Sequence, residues 1–92
     1  MDMERVHVIV QGRVQGVYYR ASARDHARQL NLSGWARNCP DGSVEIIAEG
    51  EKAALRQFIS WCQQGPPAAV VTQVITDWQT ATGEFVGFNV KH

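Results

Sequence analysis

Residues 5–20 read RVHVIVQGRVQGVYYR, and the hydrophobic pattern changes twice within this stretch. Three valines first alternate with other side chains, which predicts a β-strand with one apolar face over residues 5–11. Gly12 and Gly16 then bracket a loop. The apolar side chains that follow recur at helical spacing, so we expect a helix over residues 18–31. The stretch therefore predicts a strand that enters a helix through a glycine-flanked loop.

In the rest of the chain, the apolar side chains again switch between the alternating pattern of strands and the spacing of helices. We expect further strands over residues 35–38, 43–49, 70–78 and 85–91, and a second helix over residues 51–64. Gly34 is expected to stop the first helix, and Gly50 is expected to break the third strand. The segment Cys39-Pro40-Asp41-Gly42 has the residues of a hairpin turn.

This order of elements predicts the fold class. Strand, helix, strand, strand, helix and strand, with a short extra strand near the end, indicate an α+β fold of the ferredoxin-like, split βαβ type (βαββαβ). In that fold two helices cover one face of an antiparallel sheet. We expect a single domain over residues 1–92. The topology sets Asn38 and the turn at 39–42 beside the loop at 12–19, with the end of the second helix near Cys62 at the same edge.

Composition excludes several classes of protein. The 9 basic and 9 acidic residues cancel and the pI is near 6.8, which argues against a nucleic-acid partner. No apolar run approaches the roughly 20 residues that span a bilayer, so we expect a cytoplasmic protein without membrane contact. Cys39 and Cys62 lack ligand partners at zinc spacing, which predicts no metal site. We expect both thiols to be reduced, although a disulfide between Cys39 and Cys62 is geometrically possible.

The glycine-flanked loop has the features of a small anion site. Backbone N–H groups of such a loop can converge on an anion, and the helix behind it adds the positive end of its dipole. Arg20, at the start of the helix, carries a planar fork of donors that matches phosphate oxygens. Arg13 is a second, less well placed cation. The sequence has neither the Gly-Lys-Ser/Thr of a nucleotide phosphate loop nor dinucleotide-binding glycine spacing.

Two segments resemble a known family. Residues 12–20 (GRVQGVYYR) resemble the first signature of the acylphosphatases. Residues 34–38 (GWARN), followed by 41–45 (DGSVE) and Gly50, resemble their second signature. The resemblance covers essentially the whole chain. One position departs from the family pattern, because Tyr19 stands where most members have Phe or Met.

The resemblance implies an activity and a set of site residues. It implies a monomeric hydrolase that cleaves the carboxyl–phosphate bond of small acyl phosphates without a metal or other cofactor. Arg20 would bind the substrate phosphate and Asn38 would hold the attacking water. The phosphate would also be bound by the loop residues Gln15, Gly16, Val17, Tyr18 and Tyr19.

Two other functions stay open at this stage. The chain could be a binding or regulatory module that keeps the anion loop without turnover. It could also bind RNA through aromatic side chains on the open face of the sheet, although no basic stretch accompanies them. The remaining polar candidates are interpreted as structural or surface residues: His7, His26, His92, Asp25, Asp41 and Ser22. The physiological acyl phosphate is not indicated by the sequence.

Overall fold

The elements of the fold are seen in a computed structural model, which describes residues 2–92. In chain order they are β1 (Met3–Arg13), α1 (Tyr19–Gln29), β2 (Ser33–Asn38), β3 (Val44–Glu51), α2 (Lys52–Gln64), β4 (Val70–Thr80) and β5 (Phe88–Lys91). Every predicted boundary lies within three residues of the observed one. The largest difference is at β5, which begins only after Gly87, a residue with a left-handed φ of 68°.

The five strands form one sheet in the order β4-β1-β3-β2-β5. β1 pairs antiparallel with β3 and β4, and β2 pairs antiparallel with β3. Both helices pack on the sheet, α1 on β2 and β5, and α2 on β1, β3 and β4. The predicted ferredoxin-like α+β class is confirmed. The sheet is mixed rather than wholly antiparallel, because the chain crosses from β4 at one edge to the other edge and adds β5 parallel to β2.

The core follows from the alternation in β1. Val6, Val8 and Val10 are fully buried, as their period-2 spacing predicts. Burying each such side chain contributes roughly 1.5–3 kcal/mol to folding. The helices add their own apolar faces, with Ala23 and Ala27 from α1 and the larger side chains Leu55, Phe58 and Cys62 from α2. Neither helix within residues 2–92 has the length and apolarity needed to cross a membrane.

Two glycines do not have the roles expected from the sequence. Gly34 lies inside β2 and does not stop α1. The helix ends at Gln29 because Asn31 takes the left-handed conformation, with φ 58°, that glycine usually supplies. The amide groups of Asn31 and Leu32 then donate to Arg28 O at 3.1 Å and Ala27 O at 2.9 Å, which closes the helix end.

Gly50 likewise does not break β3, which continues to Glu51. An added Cβ at Gly50 would collide with the side chain of Leu32. Glycine is therefore required there for close packing within a strand rather than for a break.

Glu49 anchors the segment that crosses from β4 to β5. Its carboxylate is almost fully buried, with 2 % of the side chain exposed, and accepts a hydrogen bond from Arg5 Nε at 2.7 Å. The amide groups of Thr82 and Gly83 donate to the same carboxylate at 2.8 and 3.0 Å. Burial alone would raise the pKa of Glu49, but these hydrogen bonds outweigh it and hold the pKa below its ordinary value.

The lowered pKa of Glu49 predicts acid-sensitive stability. A carboxyl with a lower pKa in the folded than in the unfolded state stabilises fully above the unfolded value, and that stabilisation is lost as the pH falls through the folded value. We expect the free energy of unfolding to fall as the pH drops from about 5 towards about 3. Glu49→Gln should cost about 2 kcal/mol at pH 7 and flatten this acid loss.

Urea unfolding at several pH values measures both effects. Glu51→Gln, which removes a carboxylate from an exposed position two residues away, is the control and should keep the acid loss of the wild type. An equal loss of stability on acidification in Glu49→Gln and the wild type would contradict the role of Glu49.

Candidate active site

The glycine-flanked loop joins the end of β1 to the start of α1. Val14 is buried in the core and Val17 packs against it, so these two side chains hold the loop to the domain. Between and after them, Gly16 and Tyr18 take left-handed conformations, with φ 74° and 63°. This conformation costs a bulky residue such as Tyr18 of the order of 1–3 kcal/mol, and such strain clusters at functional sites. The side chain of Tyr18 gains no compensating burial, since 83 % of it is exposed.

Gln15 ties the loop to the hairpin between β2 and β3. Its Nε2 amide group donates to Cys39 O and to Ser43 O, both at 2.8 Å. Both protons of the amide group are used, so the side chain of Gln15 is a structural link and only its backbone is free to meet a ligand. The expectation that the loop and the turn at 39–42 lie side by side is confirmed.

A cavity of about 440 Å³ opens between this loop, α1 and the ends of β2 and β5. Its volume lies in the range of small-molecule sites. The lining includes five residues expected at the site, namely Gly16, Tyr18, Tyr19, Arg20 and Asn38. The other lining residues are Val14, Ala21, Arg24, Val90 and His92. Gln15, Val17 and Arg13 do not line the cavity.

Arg20 lies in the first turn of α1, where its Nη1 donates to Lys91 O of β5 at 2.9 Å. This single bond leaves the other guanidinium donors free of partners among residues 2–92. The first turn contains no acidic residue, and no side chain caps it. The positive end of the helix dipole and its unpaired amide groups are therefore not neutralised locally. Cavity, cation and helix end together provide a positive electrostatic environment that would attract an anion.

Asn38, the last residue of β2, lines the same cavity. Its Oδ1 is buried and accepts no hydrogen bond from residues 2–92. Leaving a buried acceptor unpaired costs about 1–3 kcal/mol. A group held at such a cost beside a cavity is explained when a ligand or a water molecule donates to it.

Tyr19 departs from the family pattern for a structural reason. Its ring is buried and its hydroxyl donates to Cys62 O of α2 at 2.7 Å. In a helix this carbonyl would accept from the residue four positions later, but that residue is Pro66, which has no N–H. The tyrosine hydroxyl thus supplies the donor that proline lacks. Burial raises the pKa of Tyr19, so the hydroxyl stays protonated.

Tyr19→Phe is expected to lower the free energy of unfolding by about 1–2 kcal/mol, because Cys62 O is left buried without a donor. Equilibrium unfolding in urea measures the change. Tyr18→Phe removes the same hydroxyl from an exposed neighbour and should change stability by less than about 0.5 kcal/mol. Equal effects of the two variants would contradict the capping role of Tyr19.

Three of the other polar candidates, His7, His26 and Asp41, have structural partners. His7 Nε2 lies 2.7 Å from Glu45 Oε2, and the ring of His26 stacks on Trp61 with centroids 4.5 Å apart. Asp41 accepts from Ser43 Oγ at 2.6 Å, and hydrogen bonds from Ser43 hold the pKa of Asp41 below its ordinary value. Asp41 is therefore a turn residue and a poor base.

Cys39 and Cys62 are both free thiols. Burial raises the pKa of Cys62 to about 12, which keeps that thiol protonated and unreactive. Within the described part of the chain, no three His, Cys, Asp or Glu side chains are grouped so as to hold a metal ion.

Comparison with known proteins agrees with this geometry. The model of the acylphosphatase family matches residues 6–90. The chain belongs to the acylphosphatase family. It is 51 % identical over 90 residues to an acylphosphatase of Roseiflexus sp., covering 98 % of this chain and 97 % of that protein. It is also 51 % identical over 92 residues to an acylphosphatase of Marinobacter nauticus, covering all of both chains.

Solved acylphosphatases share the fold. The crystal structure of acylphosphatase from Bacillus subtilis superposes with a TM-score of 0.93 at 34 % identity, over 97 % of this chain and 99 % of that one. The family resemblance of the two sequence segments is therefore confirmed.

The sequence did not predict every residue of the cavity. Arg24 was not singled out, although its position four residues after Arg20 placed it on the same helix face. Val90 and His92 were also missed as lining residues, because which strand lies beside α1 depends on how the chain crosses the sheet after β4.

Proposed function

We propose that this acylphosphatase-family chain hydrolyses acyl phosphates to a carboxylate and inorganic phosphate without a metal ion. Arg20 and the loop residues bind the phosphate, and Asn38 positions the attacking water. The observation that carries the proposal is that Arg20 and Asn38 line the same cavity, with the buried Oδ1 of Asn38 lacking a partner among residues 2–92.

The phosphate site is supported by the backbone of the loop. Left-handed conformations at Gly16 and Tyr18 alternate with ordinary ones, a pattern that can turn successive N–H groups towards one point. In this proposal the amide groups of Gly16, Tyr18 and Tyr19, which line the cavity, contact phosphate oxygens together with those of the neighbouring Gln15 and Val17, and α1 adds its positive end. Arg20 then supplies planar, charge-assisted hydrogen bonds, which are stronger than neutral ones.

Asn38 suits the task of holding the water. Its Oδ1 accepts one water O–H, which turns a lone pair of the water oxygen towards phosphorus. An amide does not titrate, so this alignment holds at every working pH. Phosphoryl transfer depends mainly on positioning and on stabilising the charge of the equatorial oxygens, and these residues are assigned those two roles.

The reaction balances without a further catalyst. The water oxygen bonds to phosphorus while the bond from phosphorus to the acyl oxygen breaks, and its electron pair leaves with the carboxylate. Carboxylic acids have pKa values near 4, so the leaving group needs no general acid. The water gives one proton to a phosphoryl oxygen and the product is inorganic phosphate. Arg20 and the loop amides supply the positive charge that a metal ion supplies in other phosphoryl-transfer sites.

Three accompanying proposals concern the setting of the enzyme. We propose that it works as a monomer, because Arg20 and Asn38 of the same chain meet at one cavity. We propose a cytoplasmic location, where Cys39 and Cys62 would stay reduced. We propose a small acyl phosphate as the partner and no nucleic acid, in keeping with a net charge of zero.

Hydrolysis of benzoyl phosphate by the purified protein tests the function. We expect turnover that is unchanged by excess EDTA. Activity that disappears on chelation and returns with Mg²⁺ would overturn metal independence. A folded protein that binds inorganic phosphate but shows no turnover would overturn the enzymatic proposal and favour a binding module.

A further inference from the structure

Three arginines follow one face of α1 at four-residue spacing, namely Arg20, Arg24 and Arg28. The outer two hold the neighbouring strand: Arg20 Nη1 donates to Lys91 O at 2.9 Å, and Arg28 Nε donates to Phe88 O at 3.1 Å. Arg24, between them, makes no hydrogen bond to β5 and lines the cavity instead. The two Nη groups of Arg24 have no partner among residues 2–92.

The one partner of Arg24 is weak. Its Nε donates to Asp25 Oδ1 at 3.1 Å, and the two side chains are 35 % and 62 % exposed. Ion pairs at such exposure contribute little to stability. Asp25 is the only acidic residue of α1, so no other carboxylate of this helix competes for Arg24. The guanidinium of Arg24 is therefore available to an anion that enters the cavity.

Helix geometry fixes the spacing of this second cation. Four residues of α-helix rise about 6 Å, so Arg24 follows Arg20 along the cavity by about that distance. A phosphorus atom bound at Arg20 and a carboxylate at the end of a four-carbon acyl chain are about 6 Å apart by standard bond lengths. Ala21 and Val90 line the cavity with Arg24 and offer apolar surface to such a chain.

We propose that Arg24 is a specificity-determining residue that binds a second anionic group at the far end of the acyl chain. The preferred substrates are then acyl phosphates of short acids that carry a distal carboxylate or phosphate. This inference rests on the proposed function for its substrate class. It adds that the site discriminates by the charge of the acyl tail.

Paired substrates test this preference. Succinyl phosphate and butyryl phosphate have the same number of acyl carbons and differ by a terminal carboxylate in place of a methyl group. We expect the wild type to favour succinyl phosphate by about fivefold to tenfold in kcat/KM, mainly through KM. Arg24→Gln should bring this ratio close to one, and Asp25→Asn, which removes the competing carboxylate, should raise it. Arg56→Gln removes a cation from α2 and should keep the ratio of the wild type.

Binding of phosphonates separates the failure of this inference from the failure of the proposed function. Calorimetry with 4-phosphonobutyrate and butylphosphonate compares a charged and a neutral tail without any turnover. We expect the wild type to bind the first about fivefold more tightly at low salt, and Arg24→Gln to lose this difference. Turnover without a preference for the charged tail would overturn this inference and leave the proposed function intact. A preference for the charged tail that survives in Arg24→Gln would do the same. If the wild type binds 4-phosphonobutyrate more tightly than butylphosphonate but hydrolyses no acyl phosphate, the role of Arg24 in binding a charged tail is supported. The proposed hydrolase function is then overturned.

Discussion

Asn38→Ala is expected to lower kcat for benzoyl phosphate by about 100-fold to 1000-fold, the cost of removing one positioned polar group from a reacting centre. KM should change much less, because in the proposed site the phosphate is bound by Arg20 and the loop rather than by Asn38. Stopped assays of benzoyl phosphate hydrolysis at saturating substrate measure the effect.

The stability of the same variant separates a catalytic from a structural role. Asn38 Oδ1 is buried without a donor among residues 2–92, so its removal takes away an unfavourable group. We therefore expect the free energy of unfolding of Asn38→Ala to be unchanged or slightly higher while activity collapses. Asn89→Ala, at an exposed position in β5, is the matched control and should alter neither quantity. A variant that keeps more than a tenth of wild-type kcat would contradict the role of Asn38.

The sequence predicted the parts of the fold that depend on local pattern. The valines of β1 alternate over several residues, and the turn residues at 39–42 have strong conformational preferences, so both elements were placed correctly. The sequence also predicted that the loop lies beside the β2–β3 hairpin, because antiparallel connections bring those ends together. Gln15 holds the loop beside the hairpin by donating hydrogen bonds to the carbonyls of Cys39 and Ser43. No pattern in the local sequence predicts these hydrogen bonds.

The errors occurred where tertiary contacts override local preference. Gly34 and Gly50 were expected to end elements, but both lie within strands because a neighbouring backbone or side chain comes close. Asn31 ends α1 instead, since asparagine tolerates the left-handed conformation better than most residues other than glycine. The parallel pairing of β5 was missed for a similar reason. It depends on the path of residues 81–87, which Glu49 fixes from the middle of the sheet.

The site was predicted from the family resemblance more than from physical pattern. Arg20 and Asn38 were named because two segments match acylphosphatase signatures, and the structure brings both to one cavity. The sequence shows that Pro66 leaves the carbonyl of Cys62 without its helical donor, but not that Tyr19 replaces that donor. This replacement needs the two elements to be adjacent, which only the topology supplies.

Arg20→Gln is expected to reduce kcat/KM for benzoyl phosphate by about 1000-fold, at the lower end of what arginines contribute to phosphoryl transfer. In the proposed site Arg20 binds the phosphate in the ground state and its added charge in the transition state, so both KM and kcat should suffer. The affinity for inorganic phosphate should fall as well. Arg20→Lys should recover only part of the activity, because an ammonium group is a point charge without the planar fork that matches two oxygens.

Two controls make this prediction decisive. Arg20 also donates to Lys91 O, so Arg20→Gln is expected to lose about 1 kcal/mol of stability, and activity must be compared where each variant is fully folded. Arg56→Gln removes the same charge from α2, away from the cavity, and should keep wild-type kinetics. If Arg20→Gln kept wild-type kcat/KM, as Arg56→Gln should, Arg20 would take no part in binding the phosphate. Arg20 would then be a residue that only holds β5 to α1, and the phosphate site would depend on the loop amides and the helix end alone.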